Sequence, residues 1–203
     1  MQFLIDKSPK DVERKAESPL VGGQLLTPLT RYADWGGAYG IDNGAYSGFQ
    51  AQAFESLLQR QLEHKERCLF VTCPDIVGNG RRTLELWLYR ARFIPPKWRD
   101  KAALVVQDGM EDLQIMWEDI HCLFVGGNDP WKESQAAADL VRAAKTLGKH
   151  THAGRVNTPK RYDHFAELGV DTCDGSGVAM YDHMLKKIER RNEPEPSLFE
   201  VPG

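Results

Sequence analysis

The stretch Ala102-Ala-Leu-Val-Val-Gln-Asp-Gly109, followed after a polar interval by Cys122-Leu-Phe-Val-Gly-Gly127, decides the fold class. Each segment is an apolar run of strand length that ends abruptly in polar or glycine residues. Such runs are the pattern of strands buried in a parallel sheet. The same unit recurs at Ile41-Asp-Asn-Gly-Ala-Tyr46, Cys73-Pro-Asp-Ile-Val-Gly78 and Asp171-Thr-Cys-Asp-Gly175. Strand-length runs fall at residues 2–5, 37–42, 68–72, 102–107, 122–126, 150–154 and 170–174, and a second strand is expected within 18–36. Amphipathic helical patterns fill the intervals at 50–64, 81–93, 110–119, 130–147, 159–168 and 181–191. Alternation of this kind predicts parallel strands joined by helical crossovers. Seven or eight strands allow a closed barrel or an open doubly wound sheet. No Gly-x-Gly-x-x-Gly follows the first strand, so the dinucleotide site of the open sheet has no support. The expectation is one α/β domain, a minimal (β/α)8 TIM-type barrel over residues 1–192, with residues 193–203 as a flexible tail.

Composition narrows the classes. A chain of 203 residues, 41% hydrophobic and 27% charged, is long enough for one filled core and short for two domains. It contains no apolar stretch of membrane-spanning length, and Met1-Gln-Phe-Leu-Ile-Asp-Lys7 is not a signal-peptide pattern, so a cytoplasmic protein without a membrane partner is expected. Cys68, Cys73, Cys122 and Cys173 lie in or beside apolar runs without Cys-x-x-Cys spacing, as buried reduced thiols do. A net charge of −3 excludes a uniformly basic surface for phosphate neutralisation. Local basic clusters exist at Arg81-Arg82, Lys97 to Lys101, Lys160-Arg161, and Lys186-Lys187 with Arg190-Arg191, each also readable as a solvated helix face.

In an α/β barrel the loops after the strands open on one face, so polar residues at strand ends converge there. On that basis Asp42, Asp75, Asp108, Asp171 and Asp174 approach one mouth, with Gln107 and the backbone of Gly126 and Gly127. Two facing carboxylates divide a glycosidic displacement, one attacking the anomeric carbon or activating water and the other moving the leaving group's proton. A flat heterocycle needs amide and carboxylate partners on its edge, with glycine permitting close approach; Asp75, Gln107, Gly126 and Gly127 suit that task.

The order of these motifs resembles the tRNA-guanine transglycosylase superfamily, including its phage and bacterial branch that inserts deazaguanines into DNA. The resemblance spans roughly residues 37 to 180. Asp42-Asn43-Gly44-Ala45-Tyr46 stands where the family has a base-side Asp motif, Asp75 where it has a base-gripping Asp, and Val106-Gln107-Asp108-Gly109 where it has a Val-Gln-Gly-Gly strand end. Gly126-Gly127 matches a turn whose backbone touches the base. Gly154-Arg155-Val156-Asn157-Thr158-Pro159, then Gly169-Val170-Asp171-Thr172-Cys173-Asp174-Gly175, match the segments ending in the nucleophile.

The resemblance implies that Asp174 attacks the sugar C1′ of a flipped nucleotide to form a covalent glycosyl-enzyme, while Asp42 exchanges a proton with the base. It implies further that Asp75 and Gln107 read the base, that Asp171 orients Arg155 or supports its strand end, and that Arg155 meets a phosphate or an acidic partner. Tyr46 and Phe49 are candidates for stacking on the base. Ala45, Asp108 and Gly175 depart from the family pattern and alter the mouth. The family's zinc site of three Cys and one His, and its long insertion, have no counterpart in these residues, which favours DNA over tRNA as the partner. A free purine or deazapurine base would be the co-substrate, and no cofactor or metal is called for.

Three classes of function stay open on these residues. The first is chemistry at an N-glycosidic bond, by base exchange or by excision to an abasic site, the latter a defence activity against phage DNA with modified bases. The second is a metal-dependent hydrolase whose carboxylates hold Mg²⁺. The third is a binding module without turnover. His150 and His152 alternate along a strand and are expected to face the core or a carboxylate, while Trp98, Trp117 and Trp131 read as packing residues.

Overall fold

A computed structural model of the chain describes residues 1–30 and 33–192. Eight parallel strands close into a barrel in chain order: β1 (Gln2–Ile5), β2 (Val21–Leu26), β3 (Tyr39–Ile41), β4 (Cys68–Thr72), β5 (Ala102–Val106), β6 (Cys122–Val125), β7 (His150–Ala153) and β8 (Thr172–Cys173). The ring shuts where β8 pairs with β1, Gln2 opposite Thr172 and Phe3 opposite Cys173. The molecule is a single (β/α)8-type barrel, and the expected tail at 193–203 lies outside the described residues.

Helices cover the outside as α1 (Pro9–Lys15), α2 (Ala51–Gln61), α3 (Gly80–Leu88), α4 (Asp129–Lys132), α5 (Gln135–Thr146), α6 (Pro159–Glu167), α7 (Ser176–Met180) and α8 (Asp182–Asn192). Their starts are chemically marked. Ser8, Asn79, Ser134 and Thr158 each accept a backbone N–H of the first turn, and Pro9 and Pro159 occupy the position where a missing N–H costs nothing. Ser134 also explains why the pattern at 130–147 is two helices: its cap on Ala137 starts α5 afresh after α4.

The helix expected at residues 110–119 does not form. Two 3₁₀ turns, Met110–Asp112 and Trp117–Asp119, flank an extended segment instead. The reason is periodicity: Leu113, Ile115 and Trp117 are the partly buried residues packed on the core, and they alternate with exposed neighbours. That is the period of an extended chain, and the interval carries Glu111, Asp112, Glu118 and Asp119 with no cation to pair along a helix face.

Two apolar layers hold the architecture. Outward strand residues such as Phe3, Ile5, Ile41, Val71, Leu104, Val106, Leu123 and Val125 pack under the helices with Phe54, Trp87, Trp98, Val141 and Phe165. The inward set is smaller: Leu4, Leu25, Phe70, Ala103, Val105, Cys122 and Phe124 fill the barrel. All four cysteines are buried and unpaired, and burial pushes the Cys68 and Cys73 thiols up to about 12. At the seam between the chain's two ends, the buried Lys15 ammonium donates to Val178 O at 3.0 Å and to Asp182 at 2.5 Å, tying α1 to α7 and α8.

Gly40 makes room for the interior. A Cβ there would stand 2.5 Å from Phe70 Cζ, deep in a barrel with no space to yield. Gly40→Ala is therefore expected to lower stability by about 1–3 kcal/mol in urea unfolding. Gly177→Ala, whose Cβ meets nothing closer than 3.6 Å within α7, is expected to be neutral or stabilising.

Candidate active site

Because side chains alternate across a strand, the inward parity of each strand extends into its following loop. Leu4 leads to Asp6, Gly40 to Asp42, Val105 to Gln107, Phe124 to Gly126, His152 to Gly154, and Thr172 to Asp174. The loop residue of each pair, Asp6, Asp42, Gln107, Gly126, Gly154 and Asp174, lines one open cavity of about 910 Å³ at the C-terminal end of the barrel, together with Tyr46, Asp75, Gly127 and Arg155. Eight of the sequence-derived site residues thus share a single cavity: Asp42, Tyr46, Asp75, Gln107, Gly126, Gly127, Arg155 and Asp174.

Two do not. Asp171 precedes β8 at the opposite end of the barrel, where its carboxylate accepts the Lys145 ammonium at 2.6 Å and the Thr151 backbone N–H and hydroxyl at 2.8 Å. It supports the strand end and has no contact with Arg155, because Asp171 and Asp174 lie at opposite ends of the short β8. Asp108 sits on the rim, accepting Asn128 N at 2.9 Å and Asn128 Nδ2 at 3.1 Å, so it joins two loops and does not face the cavity. Phe49 packs edge-on against Phe54 and Phe93, which places it in the core beside α2.

Asp75 and Gln107 form one unit. Gln107 Nε2 donates to Asp75 Oδ2 at 2.6 Å, and Asn43 Nδ2 donates to Asp75 Oδ1 at 2.9 Å. Gln107 Oε1 in turn accepts Gly78 N and Gly127 N, both at 2.8 Å. Each Asp75 oxygen keeps lone-pair capacity and Gln107 keeps one N–H, so the pair presents an acceptor beside a donor. Burial raises the Asp75 pKa, and the Asn43 and Gln107 bonds oppose that rise.

The Gly126-Gly127 turn, expected to bring its backbone close to a base, lines the cavity with its N–H groups already paired. Gly126 N–H is bonded to Val106 O and Gly127 N–H to Gln107, so both donors are occupied. What the glycines supply is space: a Cβ at Gly126 would lie 2.6 Å from Gln107 Nε2, and one at Gly127 2.5 Å from Trp131.

Asp174 is held by Arg155, whose backbone N–H donates to Asp174 Oδ1 at 3.0 Å, and by His152 Nε2, 3.1 Å from Oδ2. Arg155 adopts φ 57°, the left-handed region that a bulky residue enters at a cost of about 1–3 kcal/mol. That turn aims its N–H at Asp174 and returns its guanidinium across the mouth, to Gly127 O at 2.7 Å and over the Tyr46 ring at 4.5 Å. Lys132, fully buried, supports the preceding residue by donating to Gly154 O at 2.8 Å; burial pushes its pKa down to about 8.

Asp42 has the opposite environment. Among the described residues its side chain has one bond, from Gly44 N–H at 3.0 Å, and burial, reinforced by repulsion from Asp174, Asp75 and Asp6, pushes its pKa up to about 7. One carboxylate held by donors faces another that keeps its proton, the division of roles that acid–base chemistry at a glycosidic centre requires. Asp6, Asn43, His152, Thr172 and Lys132 were not singled out from sequence as site residues. Asp6 had a usable signal in its parity with Leu4; the others are turn or strand residues whose partners are distant in the chain.

Among the described residues, no group of three or more His, Cys, Asp or Glu side chains is placed to hold a metal ion. No model of a known protein family matches the chain, and no match was found among curated proteins.

The Asp42 shift links to stability with a definite sign. The folded chain retains this proton to about pH 7 whereas the ordinary carboxyl value is 3.8, so stability falls as pH rises through that window and is lowest above it. Asp42→Asn is expected to match the parent near pH 4 and to exceed it by about 1–3 kcal/mol above pH 8, at about 1.4 kcal/mol per unit discounted for partial solvent access. Urea unfolding across pH 4–9 checks this, and equal slopes for both proteins would contradict it.

Proposed function

We propose that the chain acts on the N-glycosidic bond of a base in nucleic acid, DNA in preference to RNA, exchanging the base through a covalent Asp174–sugar intermediate. The observation that carries this proposal is the pairing, in one cavity, of a donor-held Asp174 with a proton-retaining Asp42, beside the Asp75–Gln107 unit. The order of the motifs, which resembles the transglycosylases, supports it.

In the first half-reaction an Asp174 oxygen bonds to C1′ as the C1′–N bond breaks, and the electron pair leaves with the base nitrogen, which takes the Asp42 proton. In the second, Asp42 removes a proton from an incoming base, whose nitrogen attacks C1′ and releases the Asp174 carboxylate. Water in place of the second base gives excision and an abasic site with the same residues. Asp174 and Asp6 line the sugar position, and Asp42 turns anionic as it gives up its proton, so negative charge develops where it favours a cationic oxocarbenium-like transition state over the neutral ground state.

The same negative charge keeps phosphates out of the cavity. Backbone contacts are assigned to the surrounding face, where Arg81 and Lys160 stand exposed in the first turns of α3 and α6. Exposed Leu29, Tyr46, Val77 and Met180 rim the mouth and give an apolar surface for unstacked bases on either side of a flipped nucleotide.

Incubation with DNA carrying normal and modified bases, with and without added deazaguanine, tests the proposal by mass spectrometry of released bases and abasic sites. Base release is expected, and Asp174→Ala should reduce it by at least about 10³-fold. The rate of base departure should fall as pH rises through about 7, where Asp42 loses its proton, and Asp42→Asn should lose that dependence along with most of the rate. Dependence on added base separates exchange from excision; no release from any DNA or RNA overturns the proposal.

A further inference from the structure

Beneath Asp174 the barrel holds a line of polar side chains that the reaction above leaves without a role. His152 has no solvent-exposed surface and lies between the Phe70 and Phe124 rings, with centroids 4.7 and 4.6 Å away. Its Nε2 is 3.1 Å from Asp174 Oδ2 and its Nδ1 is 2.9 Å from Thr172 Oγ1. Thr172 Oγ1 is also 2.9 Å from His150 Nε2. Both nitrogens have partners, as a buried imidazole requires, and an apolar residue would fill the same space without that desolvation cost.

The proton positions follow from donor counting. If Asp174 acts as an ionised nucleophile it only accepts, and a neutral His152 beside it then carries its proton on Nε2 with Nδ1 as an acceptor. The Thr172 hydroxyl then donates to Nδ1, and its oxygen accepts from His150 Nε2–H. All protons point the same way, towards Asp174. Because Arg155 N–H holds Oδ1 and His152 holds Oδ2, the carboxylate plane is fixed from two directions while its remaining lone pairs stay open to the cavity.

We propose that His152 is a positioning residue for Asp174, locked by the Thr172 hydroxyl in the Nε2–H tautomer so that a neutral donor orients the attacking carboxylate without forming an ion pair with it. This rests on the assignment of Asp174 as nucleophile. The neutral donor matters chemically: it aims the oxygen yet leaves it basic enough to attack, and it leaves the same carboxylate able to depart when the glycosyl ester is broken.

Thr172→Val removes the hydroxyl at similar size, Thr172→Ser keeps it, and His152→Gln replaces Nε2–H with an amide donor. Base release at saturating DNA should drop about 10- to 100-fold in Thr172→Val with KM nearly unchanged, and recover in Thr172→Ser. His152→Gln should retain more activity than His152→Leu, which keeps the loop if the valine variant fails to fold. Nitrogen-15 spectra of the histidine rings in the full chain, without substrate, should show His152 as the Nε2–H tautomer in the parent and Thr172→Ser, and a mixture in Thr172→Val. An active parent whose Thr172→Val and His152→Leu variants keep full kcat, or a parent ring in the Nδ1–H form, overturns the proposal while leaving the glycosidic assignment standing. A parent that releases no base from any nucleic acid removes both.

Discussion

Closure of the barrel at a strand of two residues is the constraint on which the site depends. β8 has ladder partners on both sides, β7 through His152 and Ala153 and β1 through Gln2 and Phe3. Those pairings set which of its residues face inward, since a slip of one residue would turn Thr172 and Asp174 to the helices and Cys173 to the interior. Register also brings the first and last strands side by side, so that Asp6 and Asp174, 168 positions apart in the chain, act on one another electrostatically.

Assembling carboxylates in this way has a cost that the molecule distributes unevenly. Among the described residues, Asp174 is met by Arg155 N–H and His152 Nε2 and Asp75 by two amide donors, while Asp42 has one bond and burial raises its pKa to about 7. Two of the cations near the mouth are turned to structural partners. The Arg155 guanidinium meets Gly127 O and Tyr46, and the Lys132 ammonium meets Gly154 O, so neither forms an ion pair with Asp42 or Asp174. A direct ion pair would lower the basicity of a carboxylate proposed to attack; the backbone N–H of Arg155 and the imidazole of His152 meet Asp174 instead.

Much of this was readable in the chain because parallel-barrel strands are continuous apolar runs with a polar stop, and the stops are where barrel loops carry chemistry. Asp42, Asp75, Gln107 and Asp174 were legible for that reason. The segment at 110–119 was misread because its apolar residues fit a helical pattern as well as the alternation it adopts, and only packing on the barrel chooses between them. Asp108 and Asp171 share the composition of the true cavity residues but differ in parity or in end of strand, which composition does not encode. For Gly126 and Gly127 the residue type marked the cavity wall, while the pairing of their N–H groups with Val106 O and Gln107 Oε1 depends on tertiary contacts.

By itself, the sequence determined the alternation of strands and helices, the caps that start the helices and the set of polar strand-end residues. These are local properties, carried by side-chain periodicity and by groups within four residues of one another. Only the tertiary structure decided that β8 closes on β1, that His152 and Thr172 stand behind Asp174, and that burial raises the pKa of Asp42. Each of those depends on distance and burial between residues far apart in the chain, and the energies of charges and hydrogen bonds are functions of that separation and of the water it excludes.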